Sequence, residues 1–318
     1  MVSTRSGRHT ASIPSKRKNK SSSSETNPAK SQKTVICQDN PAEEKDSKIK
    51  ISSSSATSEK ILESSEVTQN GNDLHVHTII EEGIIYFFFR PKVGLDQVES
   101  FADIQRTYLI LKPKSVNVVR ILSVPRKKVF DTPSNKFVGI VGDVGEENIV
   151  ADDLGRQTYE TAKSGHRVQG AARPFAEGVY ALVHEEKSTH LAYKLTYPQE
   201  MTDTEKEFGL IKDTGSFNVS VRNPLRETTH GAPEDKAKYP EELQSKFSGK
   251  AWTPITDARF LDYKGGVVLF IGERHDEQLD RELDEMAVEE EHRVKLSGAD
   301  VIYSDLGIKK DEFQNEMK

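Results

Sequence analysis

The chain has 318 residues, 51 acidic and 45 basic, a net charge of −6 and a single cysteine. One cysteine excludes a disulfide framework and a cysteine-ligated zinc site, and makes a reducing, intracellular setting the default. No apolar run approaches the roughly 20 residues that a membrane-spanning helix needs, which argues against a membrane role. No secretory signal is read ahead of the body.

Residues 1 to 74 contain no Phe, Trp or Tyr and are rich in Ser, Lys, Glu and Asn. Such a stretch buries too little apolar surface to offset its ordering entropy, so residues 1–75 read as a disordered tail. Before Glu25 there is no acidic residue, and Lys16, Arg17, Lys18 and Lys20 form a compact basic cluster. That is the physical form of a nuclear import signal. A solvated charge run and a transit peptide are its rivals, though only Val2 and Ile13 supply bulky aliphatics for a transit helix. Phosphorylation in Ser21–Ser24 would neutralise the cluster.

The folded part, residues 76–275, opens with six consecutive apolar residues, Ile84 to Phe89, closed by Pro91. That run predicts a strand buried on both faces. Asp96 caps a predicted helix reaching Gln105, with Val98, Phe101 and Ile104 on one stripe. Thr107–Leu111, Val116–Val124 and Lys136–Val144 read as further strands. A phosphate loop would need Gly139, Gly142 and Gly145 to follow a strand and open a helix, with Lys-Ser or Lys-Thr after them, and Asp143, Glu146 and Glu147 would repel phosphate. They read as bulge or turn glycines.

From Ala176 to Pro198, two alternating runs flank Glu185-Glu186-Lys187-Ser188, a hairpin signal. Pairing His184 with Thr189 gathers Tyr180, Leu182, Leu191 and Tyr193 on one face. His184 and His190 then fall on opposite faces. Further on, Thr202 or Asp203 caps a helix to Phe208, Thr214–Val221 is a strand, and Pro240–Phe247 a short helix. Arg259–Tyr263 and Val267–Ile271 read as a second hairpin around Lys264-Gly265-Gly266. Residues 276–318 form an acidic, partly helical tail whose helix carries Leu279, Leu283, Met286 and Glu290 on a thin stripe. Its last part, through Ile302, Leu306 and Ile308, is expected to dock weakly or fray.

Two stretches echo one another. Glu82-Gly83 opens a strand, Phe101-Ala102-Asp103-Ile104 follows, and a strand ends at Pro113. Glu177-Gly178 opens a second, Phe208-Gly209-Leu210-Ile211 follows, and a strand ends at Pro224. The pattern predicts an α+β fold, a largely antiparallel sheet with short helices, containing either a duplicated β–α–β element or ordinary turn chemistry repeated by chance. Duplication would leave a cleft between the halves.

The segments EGIIYFFFRPKVG, RPFAEGVYALV, THLAY, GSFNVSVRNP and LDY…LFIGE resemble an uncharacterised eukaryotic family. In fungal genomes its members often carry an automatic BTB-domain transcription factor label. The resemblance spans roughly Glu81 to Glu273 and implies a transcription-associated role without naming site residues. The strand-dominated body departs from the mostly helical BTB architecture.

No Gly-x-Ser-x-Gly elbow or His-Glu-x-x-His motif occurs, so no catalytic residue and no cofactor is assigned. His75-Val76-His77 offers alternate imidazoles but no evident third ligand, and no metal site is assigned. Arg173, Glu177, Arg274 and His275 are the polar residues placed to line a cleft, and buried ion pairs explain them equally well. The expected function is a non-enzymatic nuclear interaction protein associated with chromatin or transcription complexes, with the cytoplasm as alternative location. Its partners are proteins met through the tails, and the nuclear import machinery. A small-molecule enzyme or ligand-binding protein with a cleft between half-domains is the alternative. Direct DNA binding is disfavoured, because the body's only basic stripe is Arg126-Lys127-Lys128. Nothing in the sequence speaks to oligomeric state.

Overall fold

Strand β1 (Thr78–Pro91) shows why its apolar run is unbroken. Ile85, Phe87 and Phe89 point into one core, while Tyr86 and Phe88 point into another on the opposite face. The computed structural model describes residues 77–95, 98, 100–124, 130, 135–162, 165–227, 233, 235–273 and 277–314. After β1 come β2 (Ile104–Pro113), β3 (Val119–Val124), β4 (Lys136–Gly145) and helix α1 (Asn148–Leu154). A separate two-stranded hairpin follows, β5 (Gln157–Thr161) and β6 (Gly165–Gln169). Then come β7 (Arg173–Glu185), β8 (Ser188–Tyr197), α2 (Asp203–Phe208), β9 (Thr214–Arg222), α3 (Glu241–Lys246) and β10 (Trp252–Pro254). The chain finishes with β11 (Val267–Glu273), α4 (Glu277–Ser297), α5 (Asp300–Asp305) and α6 (Lys310–Gln314).

Eight of these strands close on themselves in the order β1-β2-β3-β4-β11-β9-β8-β7, and β7 returns to β1. Every pairing is antiparallel. The fold is therefore mostly antiparallel β: a closed eight-stranded barrel with short helices and a longer C-terminal helix. β9 holds β8 along Thr214–Asn218, and β10 takes over its edge from Ser220.

A barrel of this size has an interior just wide enough for side chains or one small ligand. Here side chains fill it. Ring contacts run Phe87–Tyr193 (5.5 Å), Tyr193–Phe217 (6.2 Å), Phe217–Phe137 (5.5 Å), Phe137–Phe130 (6.1 Å) and back to Phe87 (5.0 Å). This circle of five rings spans the barrel. Gly139 faces inward from β4, and the Phe270 ring occupies the space its missing Cβ leaves. Near the Phe89 end of β1, Phe101, Phe175 and Phe208 stack into the opening. At the Glu81 end, Tyr239, Phe247 and Phe260 pack under α3 and a 3-10 turn, Ala258–Asp262.

The outer wall is covered on two sides. Leu283 and Ala287 of α4 lie on Val179, Ala181, Val183 and Ala192 of β7 and β8. Val150 and Leu154 of α1, with Ile302, Tyr303, Leu306 and Phe313 from the C-terminal helices, cover Tyr86, Phe88, Tyr108, Ile110 and Ile121. Each such apolar side chain contributes roughly 1.5–3 kcal/mol by leaving water. The α4 stripe docks on its own barrel. Ile302 and Leu306, expected to fray, are fully buried in this second core.

The β7–β8 register is the expected one, His184 opposite Thr189 and Tyr180 opposite Tyr193. Glu185 also pairs with Ser188, so only Glu186 and Lys187 form the turn. Two expectations need correction. The helix predicted to reach Gln105 is one 3-10 turn, Phe101–Asp103, and Ile104 and Gln105 already belong to β2; Asp96 lies outside the described residues. Arg259–Tyr263 is not a hairpin strand: it falls on the 3-10 turn capped by Asp257, and β11 pairs with β4 and β9 instead. The largely antiparallel sheet with short helices is as expected; what the sequence did not indicate is that the sheet closes into a barrel. The glycine reading holds at Gly142, which lies where β4 bulges against β3.

The two echoing stretches meet. β1 pairs with β7 along its length, so no cleft opens at that seam. Gly83 and Gly178 occupy matching places: a Cβ at either would collide with a lysine carbonyl of the neighbouring strand, Lys112 or Lys194. Phe101 and Phe208, the matching aromatics, pack edge-on at 5.0 Å.

Candidate functional site

Glu177 was singled out by sequence, and the structure surrounds it with acids. It stands on β7 directly opposite Tyr86 of β1, on the wall face that the C-terminal helices cover. Glu290 of α4 and Asp305 of α5 bring carboxylate oxygens within 4.8 Å of it and of each other. Arg293 clamps the outer two, its Nη1 2.8 Å from Glu290 and its Nη2 on Asp305. The Tyr86 hydroxyl donates to Asp305 at 3.3 Å, and Lys112 Nζ donates to the Asp305 carbonyl at 2.5 Å and pairs with Glu147 at 2.7 Å.

Glu177 itself is fully buried. Burial, then a hydrogen bond shared with Glu290, pushes its carboxyl up to about 9. At neutral pH it is a neutral acid beside the Glu290 carboxylate. Burial, with Asp305 next in effect, also raises the Tyr86 phenol. These oxygens are the cation-ligand type, but Arg293 neutralises one of the two outer charges and the Glu177 proton removes the third. The cluster is left with one net negative charge, and its ion pairs fasten the helical layer to the barrel.

A second buried network lies inside the barrel near the Glu81 end. Arg120 Nη1 meets Glu81 at 2.5 Å and its Nε meets Asp262 at 2.7 Å, while the Tyr180 hydroxyl donates to Glu81 at 2.7 Å. Burial works against the Arg120 charge, and the Glu81 carboxylate more than offsets it, raising the guanidinium above its ordinary value. Burial raises the Tyr180 phenol too.

A third arrangement, on the outer wall at the β7–β8 turn, has the order of a nucleophile, base and orienting acid. Ser188 Oγ is 2.8 Å from His190 Nε2, and His190 Nδ1 is 2.8 Å from Glu273. The Glu185 carboxylate stands 3.7 Å from the same Nε2. A fixed anion there opposes the oxyanion that acyl transfer develops, so the geometry disfavours a serine nucleophile.

Of the other residues named from sequence, Arg173 is half-buried at the start of β7, opposite Phe89, at the far end of β1 from the Glu81 network. Arg274 and His275 lie outside the described residues, as do Lys16, Arg17, Lys18, Lys20 and the Arg126-Lys127-Lys128 stripe. Arg173 and Glu177 share a strand but face no common cleft. Sequence reasoning missed Tyr86, Arg293 and Asp305 as partners of Glu177. One signal existed: Glu290 is an acid on an otherwise apolar helical stripe.

Neither a family model, nor a curated protein, nor a solved structure matches this chain. No helix among the described residues is long and apolar enough to cross a membrane.

Proposed function

We propose that this is a non-enzymatic nuclear interaction protein, working with chromatin or transcription complexes through its tails and outer wall. The supporting observation is the circle of five aromatic rings that fills the barrel. A filled interior leaves recognition to the outside, unlike barrels that enclose a ligand. The Lys16–Lys20 cluster supplies the import signal in this reading. The resemblance to the fungal family with a transcription-factor label points the same way. The Glu-Gly strands are two copies of one duplicated element, a view supported by the matching surroundings of Gly83 and Gly178.

The competing reading, a ligand-binding protein or enzyme with a cleft between halves, loses support because β1 and β7 pair directly. The test is a fluorescent fusion with and without residues 16–20, combined with proximity labelling. Nuclear enrichment that depends on the cluster, with nuclear proteins labelled, is expected. An unchanged distribution on deletion would overturn the nuclear assignment.

A further inference from the structure

Strands β9 and β11 supply the floor of a hollow near the Glu81 end of the barrel. Val221 and Val268 are partners in their ladder and both belong to the inner core. Arg222, the next residue of β9, and Val267, the one before in β11, therefore share the outer face at one level. The chain leaves β9 through Pro224 and comes back against Gly265, where the Asp235 carbonyl takes the space a Cβ would need. Arg222, Pro224, Arg226, Lys236, Ala237 and Val267 line the hollow between these two passes.

Hydrogen bonds fix the rim. Asn223 Oδ1 accepts from Leu225 N at 3.0 Å and from Gln244 Nε2 at 2.9 Å, while its Nδ2 donates to the Lys250 carbonyl at 3.1 Å. Arg226 Nε donates to the Gly249 carbonyl at 3.1 Å. Among the described residues no carboxylate pairs with Arg222, Arg226 or Lys236. Arg120 and Arg293, by contrast, each hold two carboxylates. Leu225, between two of the lining residues, stands 74% exposed.

We propose that this hollow docks an acidic peptide of a partner protein. One apolar side chain sits against Val267, Ala237 and Pro224, and the carboxylates beside it meet Arg222, Arg226 and Lys236. The proposal rests on the reading of this chain as an interaction protein and names the chemistry of the partner. Charge complementarity selects the occupant, since arginine forks match carboxylates and clustered arginines recognise acidic motifs. A bare inorganic anion would leave the apolar floor unused. A nucleic-acid backbone needs cations spread along its phosphates. Here Glu227 and Asp235 follow and precede the cations in the chain and keep the basic contact short.

Purified full-length chain would be titrated against a fluorescently labelled peptide, a leucine flanked on both sides by glutamates, and followed by anisotropy. Trp252, the only tryptophan, lies opposite Arg222 in the β9–β10 ladder, so its emission gives a label-free reading. Saturable one-to-one binding that weakens with added salt is expected. Arg222→Ala and Lys236→Ala should each weaken it about three- to fivefold, and the double variant about tenfold or more. Serine in place of the peptide's leucine should cost about tenfold on the parent chain, where no variant has to fold. Lys92→Glu, a charge change just past the far end of β1, should bind as the parent does. Thermal midpoints check that each variant is folded. No binding, equal affinity in the double variant and the parent, or displacement of the peptide by a random-sequence DNA duplex would overturn the proposal. Binding is read on purified protein, so its failure leaves the nuclear assignment to the localisation test.

Discussion

Tyr86 and Glu177 face each other across the β1–β7 ladder, and the helical layer seals both from water. A carboxyl at that place holds its proton up to about pH 9, against the ordinary 4.5. Between those values the folded chain binds a proton that the unfolded chain has released. Stability therefore falls as pH rises through that window, by up to about 1.4 kcal/mol per unit, and levels off above it. Glu177→Gln keeps a donor and removes the titration. In urea unfolding, the stability of the Gln variant relative to the parent should climb steadily from pH 6 to 9. Parallel pH profiles would refute the assignment.

Arg120 is nearly inaccessible to solvent and holds Glu81 within the barrel. Arg120→Met leaves that carboxylate buried without its counter-charge, a loss of about 3–5 kcal/mol. Tyr180→Phe removes one hydrogen bond to the same carboxylate and should cost about 2 kcal/mol. Adding Glu81→Leu to Arg120→Met should recover part of the loss, since the stranded charge goes with it. Guanidinium midpoints give all three values.

Gly83 and Gly178 separate packing from backbone freedom. Gly83→Ala or Gly178→Ala drives a methyl into a strand carbonyl, so both should depress soluble yield and thermal midpoint severely. Gly94 has φ +78 and open space around it. Alanine there should cost only about 1 kcal/mol, the ordinary strain of a left-handed residue.

Strong acid should weaken the capped 3-10 turn. Hydrogen bonds from Arg259, then Lys246, hold the Asp257 carboxyl well below its usual 3.8. Its contribution is thus present above that value and disappears as pH falls through the lower, folded one. Asp257→Asn should cost about 1 kcal/mol at pH 7. The variant should also show a shallower stability loss below pH 4 in acid titrations followed by fluorescence of Trp252.

Removing the C-terminal helices tests whether they are wall or appendage. A chain ending at residue 276 uncovers Val179, Val183, Tyr86 and Ile110. Strong binding of a hydrophobic dye and concentration-dependent aggregation are expected, against a clear, monodisperse parent.

Strand identities were legible because local patterns carry them. The Ile84–Phe89 run announced burial on two sides, and alternation from Val179 to Tyr193 set the hairpin register. Barrel closure was not legible, since no local residue records that β8 meets β9 or that β7 meets β1. The helix expected after Asp96 failed because apolar residues at spacing three fit a 3-10 turn, with three residues per turn, as well as an α-helix. Arg259–Tyr263 read as a strand because Lys264-Gly265-Gly266 follows it like a hairpin turn, yet the Asp257 cap opens a 3-10 segment there. Glu177 was found but its company was not: its partners come from α4 and α5, more than a hundred residues away along the chain.

The β1–β7 seam also constrains how the chain is made. Ile85 emerges from the ribosome long before Gly178, its partner across that seam, and β4 must wait for β11. Pairings this distant in sequence slow folding, and they keep nascent apolar strands unpaired during synthesis. The barrel is complete only when its last strand has been translated. Chaperone demand should therefore peak late, and a stalled nascent chain ending before Val267 should be among the most aggregation-prone species this gene product forms.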